Sequence, residues 1–361
     1  MPPARTVAGG EKKKRVGKWA PIPGASKGKK GLGAIPEDEE IKITASDQES
    51  EATRRAKGSR PDRNYRSGRK RLAESILTPW RKRTAKNTMK ETPVVIRRNE
   101  LYSGNLSYLL EDGDIPPVHI AKFPNIRPWS TTRIRVIRQD SFDCAVTLMN
   151  SLEILNIPQI HRVCVLNCAD PERSGGDWKD AATDQEAQLC YRSTLAQTLL
   201  PEYYPLKESS PQCVYSPNVF VFKENEELEF FPMWVDLPDR LPMVAVVSMS
   251  ADENPPIDYT GRDYGRESDR TLMMKRMRFM LRVAADTSHR VLVLRDIGSD
   301  YGHPNMAVAD CWLKVLKEEE FRGWFIFVVF ALGHLKDHYD TFRPVLHNVD
   351  ISYPEFEGIN G

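Results

Sequence analysis

An α/β fold, with a mostly parallel central sheet flanked by helices on both faces, is what this 361-residue sequence predicts. Three observations lead there. Short, continuously apolar runs such as VCVLN and VLVL suit strands buried on both sides. Segments with apolar residues at helical spacing alternate with them, as βαβ crossovers require. The first ninety residues show neither pattern and read instead as a basic, disordered arm.

In chain order, residues 1–90 form that arm and 91–361 a single folded body. The arm is rich in Gly, Pro, Ser and charge, with an acidic island EDEE at 37–40. It holds 24 Lys+Arg against 10 Asp+Glu, whereas the body holds 28 against 40. The formal net charge of +2 therefore hides a basic arm on an acidic body. RKRLAESILTPWRKR (69–83) could form a short basic amphipathic helix. KKKR at 12–15 and RKR at 69–71 and 81–83 suit nuclear import or nucleic-acid contact, so an intracellular location is expected, the nucleus before the cytoplasm.

In the body, residues 99–113 read as a strand or helix followed by a turn, and TRIRVIRQ (132–139) as a strand. Residues 141–156 have helical periodicity behind a serine that could cap the helix. RVCVLNCA (162–169) is a buried strand, and 183–200 a helix. Strands follow at 218–224 and 243–251, a strong helix at 268–287, a strand at 289–298, a helix at 307–321, a strand at 324–332 and a closing helix at 339–348.

The six cysteines (Cys144, Cys164, Cys168, Cys190, Cys213, Cys311) form no CxxC pair and mostly sit in apolar runs, which favours reduced core thiols. No apolar run approaches the ~18–20 residues of a membrane span, and the N-terminus lacks the apolar segment of a secretory signal. His334 and His338 are four apart beside Asp337, but without a helical HExxH a surface helix outweighs a metal site; neither metal nor cofactor is expected. Ser193 beside Arg192 lacks a His/Asp set and reads as a core hydroxyl.

Ligands of open α/β sheets collect at the carboxyl ends of strands. Two loops stand out there. The first, after VCVLN, contains Asp170, Gly175 and Gly176; the second, after VLVLRDI, contains Gly298, Ser299, Asp300, Tyr301 and Gly302. Glycines permit backbone shapes that let main-chain N–H groups cradle an anion. Two such loops at neighbouring strand ends point to a nucleotide-like ligand.

The ordered set VCVLNCADPERSGGDW, QEAQLCYRSTL, YSPNVFVF, VAVVSMSA, VLVLRDIGSDYGHP and FIFVVFAL resembles the microbial-type poly(ADP-ribose) glycohydrolase family over residues 92–347. The resemblance implies a macrodomain-like fold and ADP-ribose, free or on protein, as ligand. It places Asn167 at the ribose end, and Asp170, Gly175 and Gly176 loosely on the first glycine loop. Gly298, Ser299, Asp300, Tyr301 and Gly302 then match the second phosphate loop, one residue short. Asp300 puts a carboxylate where the family offers a glycine amide, which would repel a diphosphate by about 1 kcal/mol or more.

The family's signature is Gln-Glu-Glu, with the second glutamate as acid/base. Counting back from Leu189-Cys190, Gln185 and Glu186 match the first two positions, and Ala187 occupies the third. Cleaving a ribosidic bond needs a proton for the leaving oxygen and a guided water. Loss of that carboxyl would remove a factor of ~10²–10⁴ in rate. Three readings follow: an ADP-ribose binder with weak or no hydrolysis, a working hydrolase using Glu186, or a nucleic-acid-binding protein whose arm makes the contact and whose body is a scaffold.

Overall fold

The computed structural model describes residues 63–123, 126–154, 163–207, 209–233 and 241–357. Among these, eight strands form one mixed sheet in the order β1-β4-β5-β3-β6-β7-β2-β8. They are β1 (Tyr108–Glu111), β2 (Thr131–Ile137), β3 (Val163–Cys168), β4 (Gln212–Phe220), β5 (Met243–Met249), β6 (Val291–Leu294), β7 (Phe327–Ala331) and β8 (Val349–Ser352). The five central strands β5, β3, β6, β7 and β2 run parallel, and β1, β4 and β8 are antiparallel to their neighbours.

The apolar runs work as expected of buried parallel strands. Val163 and Val165 of β3, Val291 and Val293 of β6, and Val329 and Ala331 of β7 share one core cluster. That cluster also takes in α2 (Ser141–Ile154), α3 (Gln185–Arg192) and α4 (Leu195–Thr198). Alternate residues point the other way. Phe330 meets Trp312 of α6 (Asn305–Leu316) and Phe342 of α7 (Lys336–Leu346), each with ring centroids 5.8 Å apart. Both faces of the sheet are therefore covered, with α5 (Glu267–Asp286) packed along β5 and α6. No helix among the described residues is long and apolar enough to cross a membrane.

Several boundaries differ from the sequence reading. The helix expected over 183–200 breaks at Ser193, which takes extended backbone and bridges to Val221. Ser193 Oγ donates to Leu189 O at 2.8 Å, as a core hydroxyl. The cap of α2 is Asp140, whose Oδ1 accepts from the N–H groups of Phe142 and Asp143 at 2.8 and 3.2 Å, so Ser141 is the first helical residue. β4 begins six residues before the expected strand, and β8 was not foreseen.

The largest difference concerns the arm. Residues 1–62, and with them the expected disorder and the basic run at 12–15, lie outside the described residues. From Arg63 to Arg98 the chain is one helix, α1, so the boundary placed at residue 90 falls inside a secondary-structure element. Its inner face is anchored on the body. Trp80 stacks on Phe230 with centroids 5.2 Å apart, and Arg81 Nε donates to Glu226 Oε1 at 2.8 Å. Thr88 Oγ1 donates to Tyr191 O at 2.7 Å, and Lys223 pairs with Glu91 at 2.6 Å. Ala85, Thr92 and Val95 are buried along the same face.

Candidate functional site

β3 and β6 are direct neighbours, so the loops leaving their carboxyl ends converge. Between them lies a cavity of about 200 Å³, lined by Cys168, Asp170, Gly176, Asp177, Ala182, Asp184, Glu186, Asp300 and Tyr301. A larger concavity of about 570 Å³ follows α7, lined by Asp340, Arg343, Pro344 and His347, away from the strand ends that bear the glycine loops.

The floor of the cavity is built from β3 and the first turn of α3. Gln185 does not line it. Its Oε1 accepts from Cys168 N at 2.9 Å, while its Nε2 donates to Leu166 O at 2.8 Å and Ser141 Oγ at 2.9 Å. Gln185, the first residue of the signature, thus fastens α3 to β3 and α2. Glu186, one position on, reaches the cavity and is almost wholly buried. Its Oε1 accepts from Asn167 Nδ2 and its Oε2 from Asp170 N, both at 2.9 Å.

Burial raises the Glu186 carboxyl to about 8, and the neighbouring charges of Asp184 and Asp170 push the same way. The two N–H donors only partly offset this. Asn167 also donates to Ser248 Oγ at 3.0 Å, and its own carboxamide oxygen is buried without a partner among the described residues. Ala187 does not line the cavity. It is completely buried in the core cluster, and its N–H is capped by Asp184 Oδ1 at 2.9 Å.

Glycine is required in the first loop. Gly176 has φ +53, and a Cβ there would sit 3.4 Å from Glu186 Oε2 and 3.3 Å from Asp170 Cβ. Asp170 closes the loop on itself, its Oδ1 accepting from Glu172 N and Arg173 N at 2.8 and 2.7 Å. The second loop is equally fixed. Gly298 has φ +85, and a Cβ would collide with the His303 ring at 2.6 Å. His303 itself is tied to Asp252 O at 2.8 Å and Tyr264 Oη at 2.9 Å.

Ser299 Oγ donates to Asn305 Oδ1 at 2.6 Å, and Tyr301 O accepts from Asn254 N at 2.8 Å. Neither Ser299, Gly298, Gly302 nor Gly175 lines the cavity; Asp300 and Tyr301 do. Behind the loop, the buried Asp296 joins Arg295 and the Nδ1 of His338, so His338 serves the loop. His334 faces Glu227 at 3.3 Å instead.

Five of the nine lining residues are acids, and none is basic. Asp300 stands exposed at the rim. Desolvation raises its carboxyl above the usual range; Arg295 opposes this, and Asp296 and Asp184 add to it. The sequence reading missed Asp177, Asp184, Cys168 and Ala182. For Asp184 a signal existed, since an Asp directly before a helix is a strong N-cap.

Residues 82–224 match the family model for the microbial-type PARG catalytic domain. Over those residues the chain is similar to that catalytic domain. No curated protein sequence matches it. Among solved structures it is similar to poly(ADP-ribose) glycohydrolase from Thermomonospora curvata, at 21% identity, with a TM-score of 0.60 over 73% of this chain and 98% of that one. The same enzyme bound to the inhibitor ADP-HPD gives a TM-score of 0.57 at the same identity and coverage. The glycohydrolase from Deinococcus radiodurans in complex with ADP-ribose gives 0.51 at 20% identity, over 68% of this chain and 95% of that one. At these identities the likeness establishes the shared macrodomain-like fold.

Proposed function

We propose that the chain recognises ADP-ribose, as a free nucleotide or as the end of an ADP-ribosyl chain, and hydrolyses it slowly or not at all. The observation that carries this reading is the division of labour at the start of α3. Glu186 faces the cavity with both oxygens already held by N–H donors, while Ala187 lies in the core with no carboxyl to offer. A carboxyl held in that way suits the positioning of sugar hydroxyls. Asn167 does not line the cavity; it lies behind Glu186 and holds its carboxyl in place.

A cavity of about 200 Å³ is smaller than the ~300–1,000 Å³ typical of whole-ligand pockets. It fits the sugar end of the nucleotide, with the diphosphate lying toward the two glycine loops. The ligands in the solved relatives, ADP-ribose and ADP-HPD, support this class. The five carboxyls favour hydroxyl donors and oppose phosphate, so the affinity expected is modest.

Calorimetric titration of the full chain with ADP-ribose tests the reading. Saturable heat supports it; a flat isotherm at millimolar ligand rejects it. The full chain is needed because cutting at residue 91 would split α1.

A second reading, hydrolysis by Glu186, is favoured by its raised pKa of about 8, which keeps a proton available at neutral pH. It predicts that Glu186→Gln abolishes turnover and spares binding. Unchanged turnover in that variant would reject it.

A further inference from the structure

The outer face of α1 is not explained by the packing of the helix. Lys82, Arg83, Lys86, Lys90 and Arg97 are all exposed, and at 100° per residue they fall within about a 100° arc opposite the anchored face of Arg81, Ala85, Thr88 and Val95. The one acid between residues 77 and 98 is Glu91, and it is paired with Lys223. Lys82–Lys86 and Lys86–Lys90 are like-charge pairs at i,i+4, each of which weakens a helix. The helix keeps them although Pro79 and Pro93 already cost it backbone hydrogen bonds.

The stripe starts beside the candidate site. Lys82 Nζ lies 3.2 Å from Asp180 Oδ1, and the turn Trp178–Asp180 directly follows Asp177, a cavity residue. From Lys82 to Arg97 the helix runs about 22 Å, with successive cations of the Lys82–Lys86–Lys90 row about 6 Å apart.

We infer that this face binds the phosphates of a poly(ADP-ribose) chain whose terminal unit occupies the cavity. The inference rests on the reading of the cavity as an ADP-ribose site. Charge complementarity supplies the attraction, in a body that is otherwise acidic. Continuity with the cavity favours a polymer that ends in ADP-ribose over a nucleic acid, which would need the stripe alone. The cavity's own acids repel phosphate, so the stripe provides the positive charge that the cavity lacks.

The test compares the full chain with a Lys82→Ala/Lys86→Ala/Lys90→Ala variant. Binding is measured to size-selected poly(ADP-ribose), to monomeric ADP-ribose and to single-stranded RNA of equal phosphate number, over a range of salt. The expected result is polymer binding weakened about tenfold or more, a log–log salt slope shallower by about 2 for three lost contacts, and unchanged monomer binding. A matched Lys→Arg triple variant should keep wild-type polymer binding, and equal thermal midpoints would show that both variants are folded.

Polymer binding unchanged in the alanine variant overturns the inference and leaves the cavity reading intact. RNA bound as tightly as polymer, with both weakened together, overturns the choice of polymer and makes the stripe a nucleic-acid surface. Polymer bound through the stripe with no monomer binding rejects the cavity reading and, with it, the terminal unit's placement.

Discussion

Replacing Glu186 by Gln should change how stability depends on pH more than it changes stability at any one pH. Glu186 titrates near 8 in the fold against about 4.5 for an unperturbed side chain. A carboxyl raised by folding is protonated in the native state between those values and ionised in the unfolded chain. Its stabilising contribution is therefore complete below about pH 4.5 and is lost as pH rises through 8. The full span is about 5 kcal/mol at 1.36 kcal/mol per pKa unit, of which about 3 kcal/mol is lost between pH 6 and pH 9.

Gln cannot titrate, so the variant lacks this component. It also presents an amide NH₂ to one of two N–H donors, Asn167 Nδ2 or Asp170 N, which costs about 1–3 kcal/mol at every pH. Urea unfolding of both proteins at pH 6 and pH 9 measures the difference. The stability gap between the two proteins should move by about 3 kcal/mol in the variant's favour from pH 6 to pH 9. A gap that stays constant within about 0.5 kcal/mol would show that Glu186 is ionised throughout, and would refute the account of its burial.

Other expectations follow from the same geometry. Gly298→Ala forces a Cβ into the His303 ring at positive φ and should cost roughly 1–3 kcal/mol, read as a lower thermal midpoint. Arg192→Ala leaves Asp140 and Asp143 without the buried guanidinium that pairs with both, and should cost about 3–5 kcal/mol in urea unfolding. Trp80→Ala removes the stack on Phe230 and should expose α1 to limited proteolysis before the body is cut. Asp300→Asn removes a rim carboxylate and should tighten ADP-ribose binding several-fold at low salt; unchanged affinity would place the diphosphate away from this loop.

The sequence was most legible where burial is two-sided. β6 and β7 are runs with no polar residue and β3 has only Asn167 near its end, and each was found within a few residues. The two loops were found because glycines at strand ends have a local signature, borne out by the positive φ of Gly176 and Gly298. α1 was legible only in part, as a possible short helix over 69–83, for the opposite reason. Its anchored face is built largely from Thr84, Ala85, Thr88, Thr92 and Arg81, which lack apolar periodicity, and two prolines interrupt it.

The break at Ser193 depends on a bridge to Val221, a partner that local pattern cannot supply. The role of Gln185 was likewise invisible. Only the fold reveals that its amide closes on Leu166 and Cys168, leaving Glu186 alone of the pair at the cavity.

The central claim is that recognition persists at this site without efficient hydrolysis. The most direct test is a time course of the full chain with poly(ADP-ribose), following polymer length and free ADP-ribose while binding is confirmed in the same sample. The account predicts bound polymer of unchanged length. Release of ADP-ribose at about 1 s⁻¹ or faster, within the ordinary range for enzymes, would contradict it.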